Sequence, residues 1–560
     1  MGYIQGTAGS DNLIGTQYDD TIYGYAGDDI LNGGAGLNIL FGGTGNDTYI
    51  IEFITDIIIE EFESGFDTVH WREDTIEKII LLNNNEDFTS FQTNVYLNNI
   101  ESIIAISSIS VKEIFGNEYD NKLVGNGKNN FIDGGYGNDF MAGLSGDDTY
   151  IVYNNKDIIS ENTGEGNDKI ILAKDFNDNI FSMSDHIEIL DSSKFLNEVS
   201  LIGNDSNNTI YGNGKKNKIF GEDGDDRIFS GDEDDIIKGG NGDDYLDGGS
   251  GIDDIYGDNG NDIIKGKSGH DNIFGGSGND VIKSGYGDDR VDGEDGNDEI
   301  YSSLGYDRIH GGNGDDYIDS GAFTDYVFGG EGDDIIKTQS GDDQVYGGSG
   351  NDIIWGGFGW DLLFGDEGND IIFGGFNGDK INGGDGDDIL FGQSGNDTIH
   401  GSNDNDEIYG GSGEDRIFGD QGNDKLWAGN QNDLIMGGSG EDHIFGEDGN
   451  DVIYGNDGSD ILSGGLGKDI FVFKKNENGF DTIIDFNIKD DKLDLRSYLN
   501  NTNGDIIRSI NEGYIFYEYG YINELISKLE IYYSNFDNYT LSKLICTIEG
   551  DINFESVIFI

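Results

Sequence analysis

Aspartate returns at every ninth residue over much of this chain, and its setting hardly changes. Two glycines, a variable residue, a third glycine and another variable residue precede it, and a large apolar residue follows two places later. The unit is written G-G-x-G-x-D-x-U-x, with U apolar. A row of identical carboxylates on glycine-rich turns offers one chemistry above others, the binding of a hard cation. Calcium takes six to eight oxygen ligands in an adaptable shell. One carboxylate is too few, but a carboxylate with carbonyls from two stacked turns suffices. Aspartate also caps glycine-rich turns through its own side chain, as in Asx-turns. A stack held by capping alone, however, would set like charge against like charge at every level.

The candidate ligands are Asp11, Asp20 and Asp29 in a first array and Asp139 in a second. A third array of thirty units runs in phase from Asn208 to Asp469 without insertion or deletion. Its candidates begin with Asp226, Asp235, Asp244, Asp253, Asp262, Asp271, Asp280, Asp289 and Asp298. They continue through Asp307, Asp316, Asp334, Asp343, Asp352, Asp361, Asp370 and Asp388 to Asp397, Asp415, Asp424, Asp442, Asp451 and Asp460. Glu233, Phe323, Asn377, Asp404 and Gln431 replace the glycine at position four. Those turns are expected to bind less tightly or to be reshaped, while Asp235, Asp325, Asp379, Asp406 and Asp433 keep the phase. At the sixth position Asn38, Asn121, Asn130, Asn208 and Asn217 are weaker, uncharged donors.

Catalytic constellations are not expected. None of the six histidines forms an H-E-x-x-H motif, no G-x-S-x-G elbow occurs, and the one cysteine is Cys546. His310 and His400 fall at the outward ninth position and read as surface residues. The many Asp pairs repeat too regularly to suggest the paired acids of a glycosidase.

The apolar eighth position sets the element that carries these carboxylates. Ile228, Leu246, Ile282, Ile354 and Ile453 follow their aspartates by two residues. Three residues around each form a short strand whose central side chain points inward. Glycines turn the chain between strands, since they enter left-handed conformations cheaply. Two units then make one coil, coils stack about 4.8 Å apart, and the third array should hold about 15 coils over roughly 70 Å.

Composition points the same way. The 560 residues include 93 Gly, no Pro, and 111 acidic against 32 basic residues, a formal charge of −79. Such a chain repels itself unless something neutralises it, yet 32 Phe and 29 Tyr are foreign to disordered chains. Nucleic acid and anionic membranes are poor partners, because their phosphates meet a like charge; divalent cations are the natural counter-ligand. No run of about 20 apolar residues marks a transmembrane helix. The opening residues lack the basic and apolar regions of a cleaved secretory signal.

The units GGNGDDYLD (239–247), GGSGNDVIK (275–283) and GGSGNDIIW (347–355) closely resemble the RTX family of hemolysin-type calcium-binding repeats, a resemblance that covers about two-thirds of the chain. It implies an all-β fold, a right-handed parallel β-roll solenoid with two repeats per coil. It also implies Ca²⁺ between turns of neighbouring coils, held by turn carbonyls and the sixth-position Asp. Asp244 would then work with the turn of Asp262, and Asp262 with that of Asp280, for a total of about two to three dozen ions.

The expected organisation is a first calcium-binding array at 1–50, a second at 116–150 and the main β-roll at 203–473. Strand-rich irregular rungs fill 51–115 and 151–202. These stretches echo each other 101 residues apart: Asp47-Thr48-Tyr49-Ile50 recurs as Asp148-Thr149-Tyr150-Ile151, and Asp56-Ile57-Ile58 as Asp157-Ile158-Ile159. Residues 474–560 look like the cap and export segment of RTX proteins. The ending Glu555-Ser556-Val557-Ile558-Phe559-Ile560 is similar to the uncleaved tail read by type I export machinery.

Trp355, Phe373, Phe391, Tyr409, Trp427 and Phe445 stand 18 residues apart at the ninth position. They should form one ladder of rings spanning about 24 Å, either packing that stiffens the sheet or a surface for a glycan or protein. The expected function is that of a secreted, extracellular calcium-binding protein, structural or adhesin-like at the cell surface and folding on Ca²⁺ after export. A non-catalytic part of an RTX toxin or secreted hydrolase system is the alternative.

Overall fold

A computed structural model of the chain describes residues 2–53, 56–60, 65–72, 78–82, 94–98, 100–105, 111–474, 477–487, 489–494, 515–522, 525–534 and 541–552. The chain divides into two compact units, Met1–Lys267 and Ser268–Ile560. Each is a parallel β-solenoid in which successive strands alternate between two ladders.

In the first unit, Asn217–Asp223, Ile236–Asn241 and Asp254–Asn259 lie in one ladder, and Thr209–Tyr211, Arg227–Asp232 and Tyr245–Ser250 in the other. Ile228 pairs with Leu246, and Ile237 with Ile255. In the second unit Val345 pairs with Leu363, and Ile354 with Ile372. Stacked residues are therefore eighteen apart. The eighth-position side chains fill the interior: Ile228, Leu246, Ile354, Leu363, Ile372 and Ile453 are all wholly buried.

Most strands outrun the expected three residues. Ile236–Asn241 pairs through Ile236, Ile237 and Lys238, and again through Gly240 and Asn241. The residues read from sequence as turns thus join the ladder, because the turns of successive coils superpose as closely as the strands do.

In most units of the main array that superposition places two left-handed residues, at positions two and four. Gly438 (φ 126°) and Gly440 (φ 138°) illustrate them. A Cβ on Gly440 would also collide with the carbonyl of Gly422 in the adjacent coil. Gly440→Ala is expected to cost about 2 kcal/mol or more, read as a lowered melting midpoint in calcium. Asn456→Gly, at a position where a side chain already sits at φ 70°, should change little. A midpoint unmoved by Gly440→Ala would contradict this packing.

The irregular stretches continue the stack with longer coils. Thr48–Ile51 pairs in parallel with Thr68–Trp71, and Thr149–Val152 with Lys169–Leu172, each at a spacing of twenty. Val69, Trp71, Ile170 and Leu172 turn inward from these rungs. Beyond the last nonapeptide, Asp481–Ile483 and Lys492–Asp494 add parallel rungs. Phe471 and Phe473 are buried there, and Phe471 meets Phe486 at 6.0 Å. Ile515–Ile522, Leu525–Ser534 and Leu541–Ile552 then pair antiparallel. The expected export tail, Glu555 to Ile560, lies outside the described residues.

Candidate metal centre

Two features of the coil bring each sixth-position aspartate into register. The inward eighth residue anchors the strand start, and the left-handed residues before the aspartate return the chain over the preceding turn. All the candidates from Asp226 to Asp460 are 2 % exposed or less. One carboxylate oxygen, Oδ1, ties coils together by accepting the backbone N–H of the aspartate eighteen residues earlier. Asp226 N–H donates to Asp244 at 2.7 Å and Asp244 N–H to Asp262 at 2.7 Å. Asp352 to Asp370 and Asp442 to Asp460 repeat this at 2.8 and 2.9 Å. Asp244 and Asp262 are thus joined directly, carboxylate to backbone, across neighbouring turns.

The second oxygen, Oδ2, is left over. In Asp226, Asp244, Asp298, Asp334, Asp370 and Asp442, among others, it is buried with no hydrogen-bond partner. Burying an ionised, unpaired oxygen is costly, so its surroundings matter. A Cβ on Gly356 would stand 2.7 Å from both Asp361 Oδ2 and the carbonyl of Gly374 in the next coil, and on Gly446 it would stand 2.6 Å from Asp451 Oδ2 and Gly464 O. Such first-position glycines therefore clear a cradle faced by a carboxylate and a carbonyl oxygen. Hard oxygen donors from two successive coils are the set a calcium ion takes.

The electrostatics agree with the geometry. Burial, with the charges of Asp262 and Asp226 adding to it, pushes Asp244 up to about 8. Burial does the same to Asp442, reinforced by Asp460 and Asp424. Asp334 reaches about 8 and Asp370 about 7 for like reasons. The backbone N–H bonds oppose the rise without cancelling it. Without a cation, these columns hold protons at pH values where carboxylates are ordinarily ionised.

Not every predicted ligand presents this oxygen. Thr7 donates both its N–H (2.6 Å) and its hydroxyl (2.8 Å) to Asp11 Oδ2, and Thr16 does the same for Asp20. The second oxygen of Asp11 and of Asp20 is thus bonded within its own turn, in the manner of an Asx-turn, because threonine stands where a left-handed residue would otherwise open the cradle. Asp29 and Asp139 do keep an unpartnered Oδ2. At Asp307, the Ser302 hydroxyl fills the cradle and donates to Oδ2 at 2.5 Å. The asparagines do more than donate weakly. Asn130 and Asn208 aim their amide N–H at the carbonyls of Val111 (2.9 Å) and Ile187 (3.2 Å), and Asn38 at Asp56 (2.8 Å). A neutral donor takes the place a cation would hold.

Five aspartates outside the candidate set are built like the rest. Asp325, Asp379, Asp406, Asp433 and Asp469 are buried with an unpartnered Oδ2. The position-four residues Glu233, Phe323, Asn377, Asp404 and Gln431 adopt left-handed φ between 67° and 83°, against 135° and 138° for Gly242 and Gly440. The turn is reshaped and the cradle survives. The unbroken nine-residue phase was the signal that could have found these five.

The aromatic ladder stands on one sheet as expected. Trp355, Phe373, Phe391, Tyr409, Trp427 and Phe445 stack at 5.6, 4.9, 4.9, 4.6 and 5.6 Å, with planes within 11° of parallel. A second series on the other sheet, Phe328, Tyr346 and Phe364, stacks at 4.8 and 4.9 Å and escaped sequence reading. His310 and His400 lie outward, paired with Asp292 (3.0 Å) and Asp420 (2.8 Å) of the neighbouring coils.

Comparison with known proteins adds three findings. The sequence model of the family described as RTX calcium-binding nonapeptide repeat (4 copies) matches residues 5–40, 115–150 and, in overlapping copies, 202–471. No curated protein matches. Among solved structures, the chain is similar to that of a hyperactive, Ca²⁺-dependent, beta-helical antifreeze protein from an Antarctic bacterium. That match has 18% identity and a TM-score of 0.18, covering 54% of this chain and 84% of the other. No helix among the described residues is long and apolar enough to cross a membrane.

Proposed function

The chain belongs to the RTX calcium-binding nonapeptide repeat family, and from that premise we propose that it is a secreted protein whose rolls close around calcium outside the cell. The repeat is a structural unit that binds calcium; it is not a catalytic one. The proposed ligands are the sixth-position aspartates with an open cradle, including Asp325, Asp379, Asp406, Asp433 and Asp469 and excluding Asp11, Asp20 and Asp307. In this reading the roll is right-handed, two nine-residue units make a coil, and the ions number about two to three dozen. The observation that carries it is the buried, unpartnered Oδ2 repeated from coil to coil. A chain kept ion-free in low-calcium cytosol stays unfolded for type I export, then gains its folding free energy outside as metal binds the native state.

The role that fits such a roll is mechanical and adhesive at the cell surface. Its contact face is the half-buried ladder from Trp355 to Phe445, with Phe358 and Phe376 stacked beside it at 4.5 Å and about half exposed. Parallel rings suit the faces of a glycan. Binding of the calcium-loaded protein to glycans or cell surfaces is expected in calcium and not in chelator. Tyr409→Ser with Trp427→Ser should weaken it about tenfold or more. Equal binding by the double variant would remove the ladder from this role.

A further inference from the structure

The two short arrays end in a different way from the coils within them. Gly42 opens the last unit of the first array, and eighteen residues on, where another glycine carbonyl would face the cradle, the chain carries Glu60. The inward eighth position of the same unit is Tyr49 where the other units of that array carry Ile or Leu. A Cβ on Gly42 would collide at once with Glu60 Oε1, the Tyr49 hydroxyl and Asp47 Oδ2. Oxygens of Asp47, Glu60 and Asp67 lie within 4.8 Å of one another, and all three residues are buried. Asp67 is fixed there by accepting the Asp47 N–H at 2.8 Å.

Two further facts separate this cluster from an ordinary group of acids. The Tyr49 hydroxyl is wholly buried, without a hydrogen-bond partner, and aimed into the cluster, as is Asp47 Oδ2. A phenol is satisfied readily by one acceptor, so its burial beside carboxylates calls for a shared partner. The same residues also recur 101 positions later as Gly143, Asp148, Tyr150, Glu161 and Asp168. Asp148 N–H donates to Asp168 at 2.8 Å. Gly143 N–H donates to the Tyr150 hydroxyl at 2.5 Å and that hydroxyl donates to Glu161, so in this copy the phenol is partnered and the buried oxygens without a partner are Asp148 Oδ2 and Glu161 Oε2. The third array lacks the arrangement: Phe471 stands in place of tyrosine, and Gly464 N–H donates to Asp485 at 3.0 Å instead.

We propose that Asp47, Tyr49, Glu60 and Asp67, and likewise Asp148, Tyr150, Glu161 and Asp168, form a pair of closing sites, each taking one divalent cation of the hard, oxygen-seeking class such as calcium. The donor set differs from that of the repeat turns: a glutamate and a phenol replace the carbonyl of a following coil. The ion ends a nonapeptide array where the next rung, two residues longer, cannot supply that carbonyl. The proposal borrows from the reading above only the idea that cradles hold cations.

Two measurements on the full chain test it. Total bound calcium at saturation is expected to fall by two ions in Glu60→Gln with Glu161→Gln, and by one in either alone. Terbium luminescence excited through tyrosine should drop in Tyr49→Phe with Tyr150→Phe, an isosteric pair that retains the fold if the glutamine variants do not. Asp334→Asn serves as a turn control that lowers the ion count without touching the tyrosine-excited signal. An unchanged count in the glutamine pair, or undiminished luminescence in the phenylalanine pair, overturns the closing sites alone. A parent count of about two ions would instead sink the turn sites and leave these standing.

Discussion

Moved into excess chelator at pH 8, the protein is expected to lose most of its β-sheet circular dichroism, and to regain it in millimolar calcium with about two to three dozen ions taken up. The expectation follows from where the charge sits. Of a net −79, the part that matters is the column of buried sixth-position carboxylates, bonded through Oδ1 to the coil before and, in Asp226, Asp244, Asp334, Asp370 and Asp442 among others, bare at Oδ2. Asp379, for example, is pushed up to about 8 by burial and by the charges of Asp361 and Asp397 on either side. Ionising such a column in the folded state is opposed at every rung. A ligand that binds only the native state adds about 2.7 kcal/mol per site at a hundredfold excess over Kd. Repeated along the stack, that term outweighs the marginal stability of an ordinary domain. Calorimetric titration of the stripped protein, followed by melting in chelator and in calcium, checks both the ion count and the coupling. An ordered β signal and melting midpoint indifferent to calcium would end the proposal.

How much of this could be read from the sequence depends on how far each feature reaches along the stack. In a solenoid every coil touches only its neighbours, so an unbroken period of nine is enough to pair Ile228 with Leu246 and to align Trp355 with Phe373. The pattern holds wherever a unit and the one eighteen residues on are both regular. It fails where one of them is not. Asp11 and Asp20 read as ligands because nothing in their own spacing distinguishes them. Only the hydroxyls of Thr7 and Thr16, folding back across the turn, show that their oxygens are spent. Asp325 and Asp379 read as weakened because Phe323 and Asn377 replace glycine, whereas a left-handed φ near 80° proves accessible to both. Glu60 reads as one acid among many until the register of Phe41 with Ile59 sets it over Gly42 beside the Tyr49 hydroxyl. The echo of Asp-Thr-Tyr-Ile was visible from the start. Its meaning needed the register.

The response to pH should change sign with calcium. In chelator, the folded chain holds protons on carboxylates that the unfolded chain releases near pH 4. Asp244, Asp334, Asp406 and Asp442 are pushed up to about 8, and Asp226, Asp352 and Asp370 to about 7, by burial in each case. Between pH 4 and pH 8 the folded state thus binds more protons than the unfolded one, and stability falls as pH rises, by about 1.4 kcal/mol per pH unit for each such proton. The stabilisation is complete below the unfolded pKa and is lost as pH climbs through 7 and 8. The geometry says why a proton can stand in for the ion: a protonated Asp361 Oδ2 faces the Gly374 carbonyl across the same cradle and can donate to it. Calcium demands the ionised carboxylate, so lowering the pH sets protons in competition with the ion and weakens binding. In chelator the β-sheet signal should therefore be larger at pH 5 than at pH 8, and melting midpoints at limiting calcium should be higher at pH 8 than at pH 5. Profiles of the same sign in both media would mean that Oδ2 is not where proton and cation compete.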